Sequence, residues 1–247
     1  MTGMAPSPLS RFTVLTVASA AAAACWLAAA APAVAQADGC PAFERPQVSV
    51  SLTNAPLRRD FTRTIQQLAR IPGRAPGPAG SGSGHILGLA HAVFQQTYDI
   101  AVSYGQLGDG AYCGALASVS VTFGTQERVV YVARELPRGS CIHREVLDHE
   151  MQHVAVDDAL MEEYLAIIRR RVAAVAAQTG TVRSRSRQQV MTTLRRPIDA
   201  EMRTILDEFT RERDRRQAGV DTVDEYERVS RSCGGELGKY VTGQGRM

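Results

Sequence analysis

Between Gly139 and Gly180 the chain runs through Ser140 to Gln178 without a proline or a glycine. Within that stretch Ile142, Val146, His149, His153, Val156, Leu160, Tyr164 and Ile167 recur at steps of three and four, which places them on one face of a helix. Pro137-Arg138-Gly139 breaks the preceding pattern and leaves Ser140 as the hydroxyl cap; Thr179-Gly180 ends the run. The spacing predicts one long helix over 140–178 with a face to bury. Two of the inward positions are histidines.

The segments on either side differ in period. Val48, Val50 and Leu52 alternate with polar residues, as do Tyr98, Ile100, Val102 and Tyr104, then Val119, Val121 and Phe123, then Val130 and Val132. Period two predicts strands, with turns at Gly108-Asp109-Gly110 and near Gln126, so that three antiparallel strands follow one another. Residues 57–70 carry Leu57, Phe61, Ile65 and Leu68 at helical spacing, and Ile71 to Gly84 is a loop rich in Gly, Pro and Ser. A second helical stretch is predicted over 185–217, restarted at Pro197 in a first-turn position, and a last helix reaches Ser230 from a cap at Asp221 or Thr222. The helical C-terminal part covers about 183–232. Strands first and helices after predict an α+β domain, a small antiparallel sheet followed by a long helix and further helices, over residues 36–247.

The first 35 residues read as an address. One charge, Arg11, precedes an apolar run from Phe12 to Ala31, and Pro32-Ala33-Val34-Ala35 offers a small-x-small cleavage site. Residues 1–35 are therefore expected to be a secretory signal peptide. The alternatives are an uncleaved anchor, since Phe12 to Ala35 is long enough to span a bilayer, and a lipobox-like Ala22-Ala23-Ala24 before Cys25. Four cysteines remain after residue 35, Cys40, Cys113, Cys141 and Cys233, with no CxxC spacing, which predicts disulfides in an oxidising, exported setting, periplasmic or secreted. A hairpin turning near Gln126 sets Cys113 across from about position 139, which favours Cys113–Cys141 and leaves Cys40–Cys233 to tie the ends.

Composition narrows the class. With 45% hydrophobic and 21% charged residues the chain can bury a core, which excludes a disordered protein, a fibre and a polytopic membrane protein. The net charge of +3 demands no polyanionic partner. Arginine runs such as Arg169-Arg170-Arg171 and Arg211/Arg213/Arg215/Arg216 raise the question of nucleic acid, but acidic residues from Asp199 to Glu227 offset them and no aromatics interleave, so no nucleic-acid partner is expected.

The chemistry sits on the long helix, as His149-Glu150-Met151-Gln152-His153. Residues i and i+4 lie one turn apart on the same face, so both imidazoles reach one Zn²⁺. Glu150 faces the same site without being forced to ligate and is placed to accept a proton from the water the cation acidifies.

The stretch Val146-Leu147-Asp148-His149-Glu150-Met151-Gln152-His153-Val154 resembles the extended signature of zincin metallopeptidases, which takes uncharged residues beside and between the motif positions. The chain is also similar to small exported bacterial HExxH proteins regarded as zinc proteases. The resemblance implies His149 and His153 as ligands of one zinc per chain, Glu150 as general base, and a zincin-like fold hydrolysing peptide bonds in a peptide or protein substrate. It departs from the family after the motif: Val154-Ala155-Val156-Asp157 stands where a metzincin continues to a glycine and a third histidine, and the acidic segment of thermolysin-like enzymes is absent.

A third ligand must come from another element. If helices 140–178 and 185–217 fold back near Thr181, residue 153 is level with about 209, and the candidates are Glu208 first, then Glu201, Glu212 and Glu163. Asp157 is about 12 Å along the axis from His149, too far to share its ion. His143 points around the helix from the metal face, His85 and His91 follow the loop, and Tyr164 and Tyr226 are candidate oxyanion donors or packed rings. A sheet edge near Val119–Phe123 is expected to hold an extended substrate. The function expected is that of an exported zinc metallopeptidase with no membrane contact beyond an uncleaved signal segment; the alternatives are a non-catalytic zinc-binding or structural envelope protein, and a polyanion binder.

Overall fold

The computed structural model describes residues 39–72 and 85–241. The expected signal peptide and most of the Gly/Pro/Ser loop, 73–84, lie outside the described residues. In chain order the elements are β1 (Gln47–Asn54), β2 (Arg58–Asp60), α1 (Ile65–Leu68), β3 (Gly88–Gln106), β4 (Tyr112–Val132), α2 (Cys141–Gln178), β5 (Val182–Ser184), α3 (Arg187–Val220), α4 (Val223–Arg231) and α5 (Leu237–Val241), with a 3₁₀ turn at Ser232–Gly235.

The mixture of strands and helices is α+β, but the sheet is not antiparallel throughout. β4 is the central strand. β3 runs antiparallel along one side of it for almost its whole length; on the other side β5 pairs antiparallel with Tyr112–Gly114, then β1 and β2 run parallel to Ser118–Thr125 and Val129–Tyr131. The parallel pairs arise because β1 and β2 come from the amino-terminal segment and join β4 without a hairpin to reverse them.

Two expectations fail for one reason. Residues 112–132 are not two strands turning near Gln126 but a single 21-residue strand. The register against β3 slips by one residue at Val93/Phe94, leaving Gln126 extra, and again at Ala101/Val102, leaving Ala117 extra. Each is a bulge that twists the strand without ending it. Cys113 therefore lies at the opposite end of β4 from Cys141, and the disulfides are Cys40–Cys113 and Cys141–Cys233 rather than the expected pairs. Val119–Phe123 is paired on both sides, so it is not an exposed edge; among the described residues the sheet's edges are β3 on one side and β1, β2 and β5 on the other.

The helix expected over 57–70 is also absent. Arg58–Asp60 pair with β4, and Thr64 opens only one turn of helix through a capping box with Gln67. Its Ile65 and Leu68 pack with Val129, Tyr131 and Ala133.

α2 follows the prediction closely. Ser140 accepts from the His143 N–H at the start, and Thr179 Oγ1 bonds the Val175 carbonyl at the end. α3 is capped by Ser186 and runs through Pro197 instead of restarting there: the fully buried Leu194 and Ile198 flank the proline and hold the helix together. Together α2 and α3 cover one face of the sheet. Leu160, Met161, Ile168 and Val172 from the one, and Leu194, Ile198, Met202 and Ile205 from the other, close over Val119, Val121 and Phe123. On the opposite face Ser49 bonds Ser120 and Ser51 bonds Thr122, a hydroxyl ladder facing water. No described helix is long and apolar enough to cross a membrane.

Candidate metal centre

His149 and His153 stand on the inner face of α2, one turn apart, as their spacing requires. Their rings meet edge to face with centroids 5.0 Å apart. The third group is Asp221, the residue that closes α3 and precedes the cap of α4. Its Oδ1 lies 3.3 Å from His149 Nε2 and 3.2 Å from His153 Nε2, and the two Nε2 atoms are 3.3 Å from each other. Donors about 2.0–2.1 Å from a tetrahedral zinc stand about 3.3 Å apart, so the triangle has the size of a zinc face.

The proton inventory makes the same point. Gln217 donates its amide N–H groups to the His153 carbonyl at 3.1 Å and to Asp157 Oδ1 at 2.7 Å, which turns its Oε1 toward His153 Nδ1. That oxygen can only accept, so His153 carries its proton on Nδ1. Asp157 is itself held by two bonds from Arg213, at 2.7 and 3.0 Å. On the other side His149 Nδ1 donates to Glu225 Oε1 at 3.3 Å, and Arg228 holds Glu225 at 2.7 and 2.8 Å. With both Nδ1 atoms committed, two imidazole lone pairs and a carboxylate oxygen face a common point. Three acceptors converge there only if a proton or a cation sits among them, and outer partners of this kind are how metal-ligating histidines are oriented. His149, His153 and Asp221 fit a divalent ion that takes nitrogen and oxygen ligands.

Burial and charge tune these groups against each other. Burial pushes both imidazoles down, but the close Asp221 carboxylate and the charge of Glu150 outweigh it and raise their affinity for a second proton above the ordinary value. Burial pushes the Asp221 carboxyl up, and the close imidazoles of His149 and His153 overcome it, keeping it far below the carboxylate range. The Arg228 bonds hold Glu225 down at about 2.

Glu150 sits beside the triad and is only 6% exposed. Burial pushes its carboxyl up to about 7 against the pull of His153, His149 and the Ala90 N–H. The carboxyl approaches β3 at Gly88, where an added Cβ lies 2.5 Å from Glu150 Oε1 and 2.8 Å from Val146, so a side chain there displaces the acid. Tyr226, on α4, meets the His149 ring edge to face at 6.0 Å with its hydroxyl 3.4 Å from Asp221 Oδ1.

The third-ligand candidates read from the sequence are all engaged elsewhere. Glu208 and Glu201 pair with Arg171, Glu212 with Arg215 and Arg216, and Glu163 with Arg216. The error is one of register. β5 adds three residues of strand before α3 begins, so His153 faces Gln217 instead of residue 209, a shift of eight residues or about 12 Å. In the sequence Asp221 stands out only as a candidate helix cap, whereas Thr222 caps α4 and leaves Asp221 for the histidines. Its spacing of four from Glu225, across a helix start, is the signal that could have found both. Of the remaining rings, His143 is buried against Phe61 with Nε2 unpartnered, and Tyr164 packs on Phe209; neither joins the triad.

Comparison with family models, curated proteins and solved structures gave no match.

Proposed function

We propose that the chain is an exported, zinc-dependent peptidase whose metal is held by His149, His153 and Asp221 and whose general base is Glu150. The observation that carries this reading is the convergence of His149 Nε2, His153 Nε2 and Asp221 Oδ1 within 3.2–3.3 Å, each imidazole backed by its own acceptor. The two disulfides fit an oxidising, exported environment. Zinc in such a site supplies a Lewis acid that acidifies water and polarises a carbonyl.

The chain's own residues supply the rest. Glu150 follows His149 directly and faces the same space, and its raised affinity for protons suits a group that takes a proton from water and delivers it to a leaving amine. Gln217 and Glu225 keep the imidazole protons on Nδ1, so that Nε2 stays available. The outer edge of β3, which begins beside Glu150, offers unpaired backbone groups to an extended peptide. The Tyr226 hydroxyl stands 3.4 Å from Asp221 Oδ1, beside the triad.

A second reading, zinc binding without turnover, is favoured by one observation: the Glu150 carboxyl is buried and already accepts the Ala90 N–H. One experiment separates the two. Wild type and Glu150→Gln are loaded with zinc and exposed to a mixed peptide library, with metal content measured in parallel. The peptidase reading expects one zinc per chain in both and turnover in the wild type lowered about 10²–10⁴-fold by the substitution. Zinc in both with cleavage by neither supports the second reading, and a folded wild type that refuses zinc sinks both.

A further inference from the structure

The metal centre is built from two pieces of chain. His149 and His153 belong to the long, well-packed α2, whereas Asp221, Glu225 and Tyr226 belong to a short segment that leaves α3 and ends at Cys233. α4, the body of that segment, contributes no buried residue. Its polar ties to α2 are the His149–Glu225 bond and an exposed Arg228–Glu145 ion pair at 2.7 Å, of a kind that holds little on its own. Val229 and Cys233 lie against the Ile142 and Val146 cluster.

The covalent tie is Cys141–Cys233. It joins the end of the segment to the first residue of α2, two turns before His149. Cys233 has φ of 55°, the only positive value outside glycine among the described residues, followed by Gly234 at 68° and Gly235 at 76°. A cysteine in the left-handed region is sterically disfavoured and persists where something holds it. Here the sulfur bond does, and the same reversal brings α4 onto α2.

We infer that the Cys141–Cys233 disulfide is a redox latch on the metal centre: with the bond closed, Asp221 and Glu225 are held against His149 and His153, and with it open zinc affinity falls. The inference rests on the metal-site reading above. Opening requires a reductant: a phosphine gives two electrons to the sulfurs, which take two protons as thiols, and becomes its oxide with oxygen from water. By linkage, zinc must in turn make the disulfide harder to open at equilibrium, because a ligand that binds the latched form more tightly stabilises it.

The test measures zinc affinity by competition with a chromophoric chelator, in the oxidised wild type, in Cys141→Ala/Cys233→Ala, and in Cys40→Ala/Cys113→Ala. The last removes a disulfide that ties the other end of β4 and controls for general loss of stability. A dissociation constant raised at least about tenfold in the first variant and changed less than about twofold in the second is expected, the size found for outer groups of metal sites. Equal weakening in both variants, or none in either, overturns the latch. A complementary measurement equilibrates the protein with glutathione redox buffers, two thiols of which become one disulfide as the protein bond opens, with and without zinc, and maps the freed thiols by mass spectrometry. Zinc should move the Cys141–Cys233 midpoint to more reducing conditions and leave that of Cys40–Cys113 in place, and equal midpoints with and without zinc count against the latch. An oxidised wild type that takes up no zinc removes the metal site itself and the latch with it.

Discussion

Oδ1 of Asp221 lies 3.3 Å from Nε2 of His149, although 72 residues separate them in the chain. The contact exists because α3 returns along α2 to a point level with the motif and ends there, so that the residue just past the helix, not one on its face, meets the imidazoles. Asp221→Ala is expected to abolish stoichiometric zinc uptake while leaving α4 capped by Thr222. Glu208→Ala, which removes only a partner of Arg171, is expected to keep it. Metal analysis of the two purified variants decides, and zinc retained in Asp221→Ala excludes this aspartate as a ligand.

Gln217 tests whether the outer groups matter. Its amide is oriented by Asp157 and the His153 carbonyl, and it offers His153 Nδ1 an acceptor. Gln217→Leu removes that acceptor and leaves the ring free to place its proton on Nε2. Zinc affinity is expected to fall about 10–100-fold. Chelator competition reads it directly, and an affinity within about twofold of the wild type shows that the relay from Arg213 through Asp157 does no orienting.

Gly88 tests the placement of the proposed base. An alanine there puts a methyl carbon where Glu150 Oε1 and Val146 already stand, so either the carboxyl or the strand must move. Gly88→Ala is expected to retain zinc, because the atoms nearest an added Cβ belong to Glu150 and Val146, and to lose most hydrolysis, because Glu150 is displaced. Full activity with one zinc per chain counts against Glu150 acting from the position seen here.

How much of this was legible in the sequence depends on range. The helix 140–178, its Ser140 cap and the shared face of His149, Glu150 and His153 follow from local spacing, and the structure keeps them. Cys113–Cys141 failed because the break in alternation near Gln126 was read as a turn, and a bulge and a turn look alike until the partner strand is known. Asp221 was missed because the helical hairpin was closed at Thr181, whereas Val182–Ser184 first joins β4. A strand of three residues has too little periodicity to announce itself, yet it moves every later contact by two turns. Arginine-rich composition hid the rest: the acidic candidates on α3 were visible, but not that Arg171, Arg215 and Arg216 neutralise them.

His143 predicts a pH dependence separate from the metal site. Burial, with Arg138 and Arg144 adding to it, holds its pKa below the ordinary value, and its Nε2 has no partner. The unfolded chain therefore takes up this proton more readily than the folded one. Stability from this group is present above about pH 6.5, declines as pH falls through that value, and levels off below the folded pKa. His143→Phe removes the term while keeping a ring against Phe61. Between pH 8 and 5.5 the Tm of the wild type is expected to fall further than that of the variant, the metal-site groups being common to both. Parallel Tm curves mean that His143 titrates alike in both states.

Phe209 carries the junction between the two long helices and the sheet. It is 4% exposed and meets Phe94, Phe123 and Tyr164 edge to face with centroids 5.1–5.2 Å apart. Truncating such a residue costs about 3–5 kcal/mol in lost transfer energy and cavity formation. It also borders a cavity of about 280 Å³ lined by Phe94, Phe123, Leu206 and Arg213, so part of the new space opens into one already present and the cost falls toward the lower figure. For a domain of this size that corresponds to a Tm drop of about 10 °C. Zinc content of Phe209→Ala below its melting transition should be unchanged, because the triad lies beyond this position, past the end of α3. Calorimetry with metal analysis checks both, and a destabilisation under about 1 kcal/mol contradicts the packing described here.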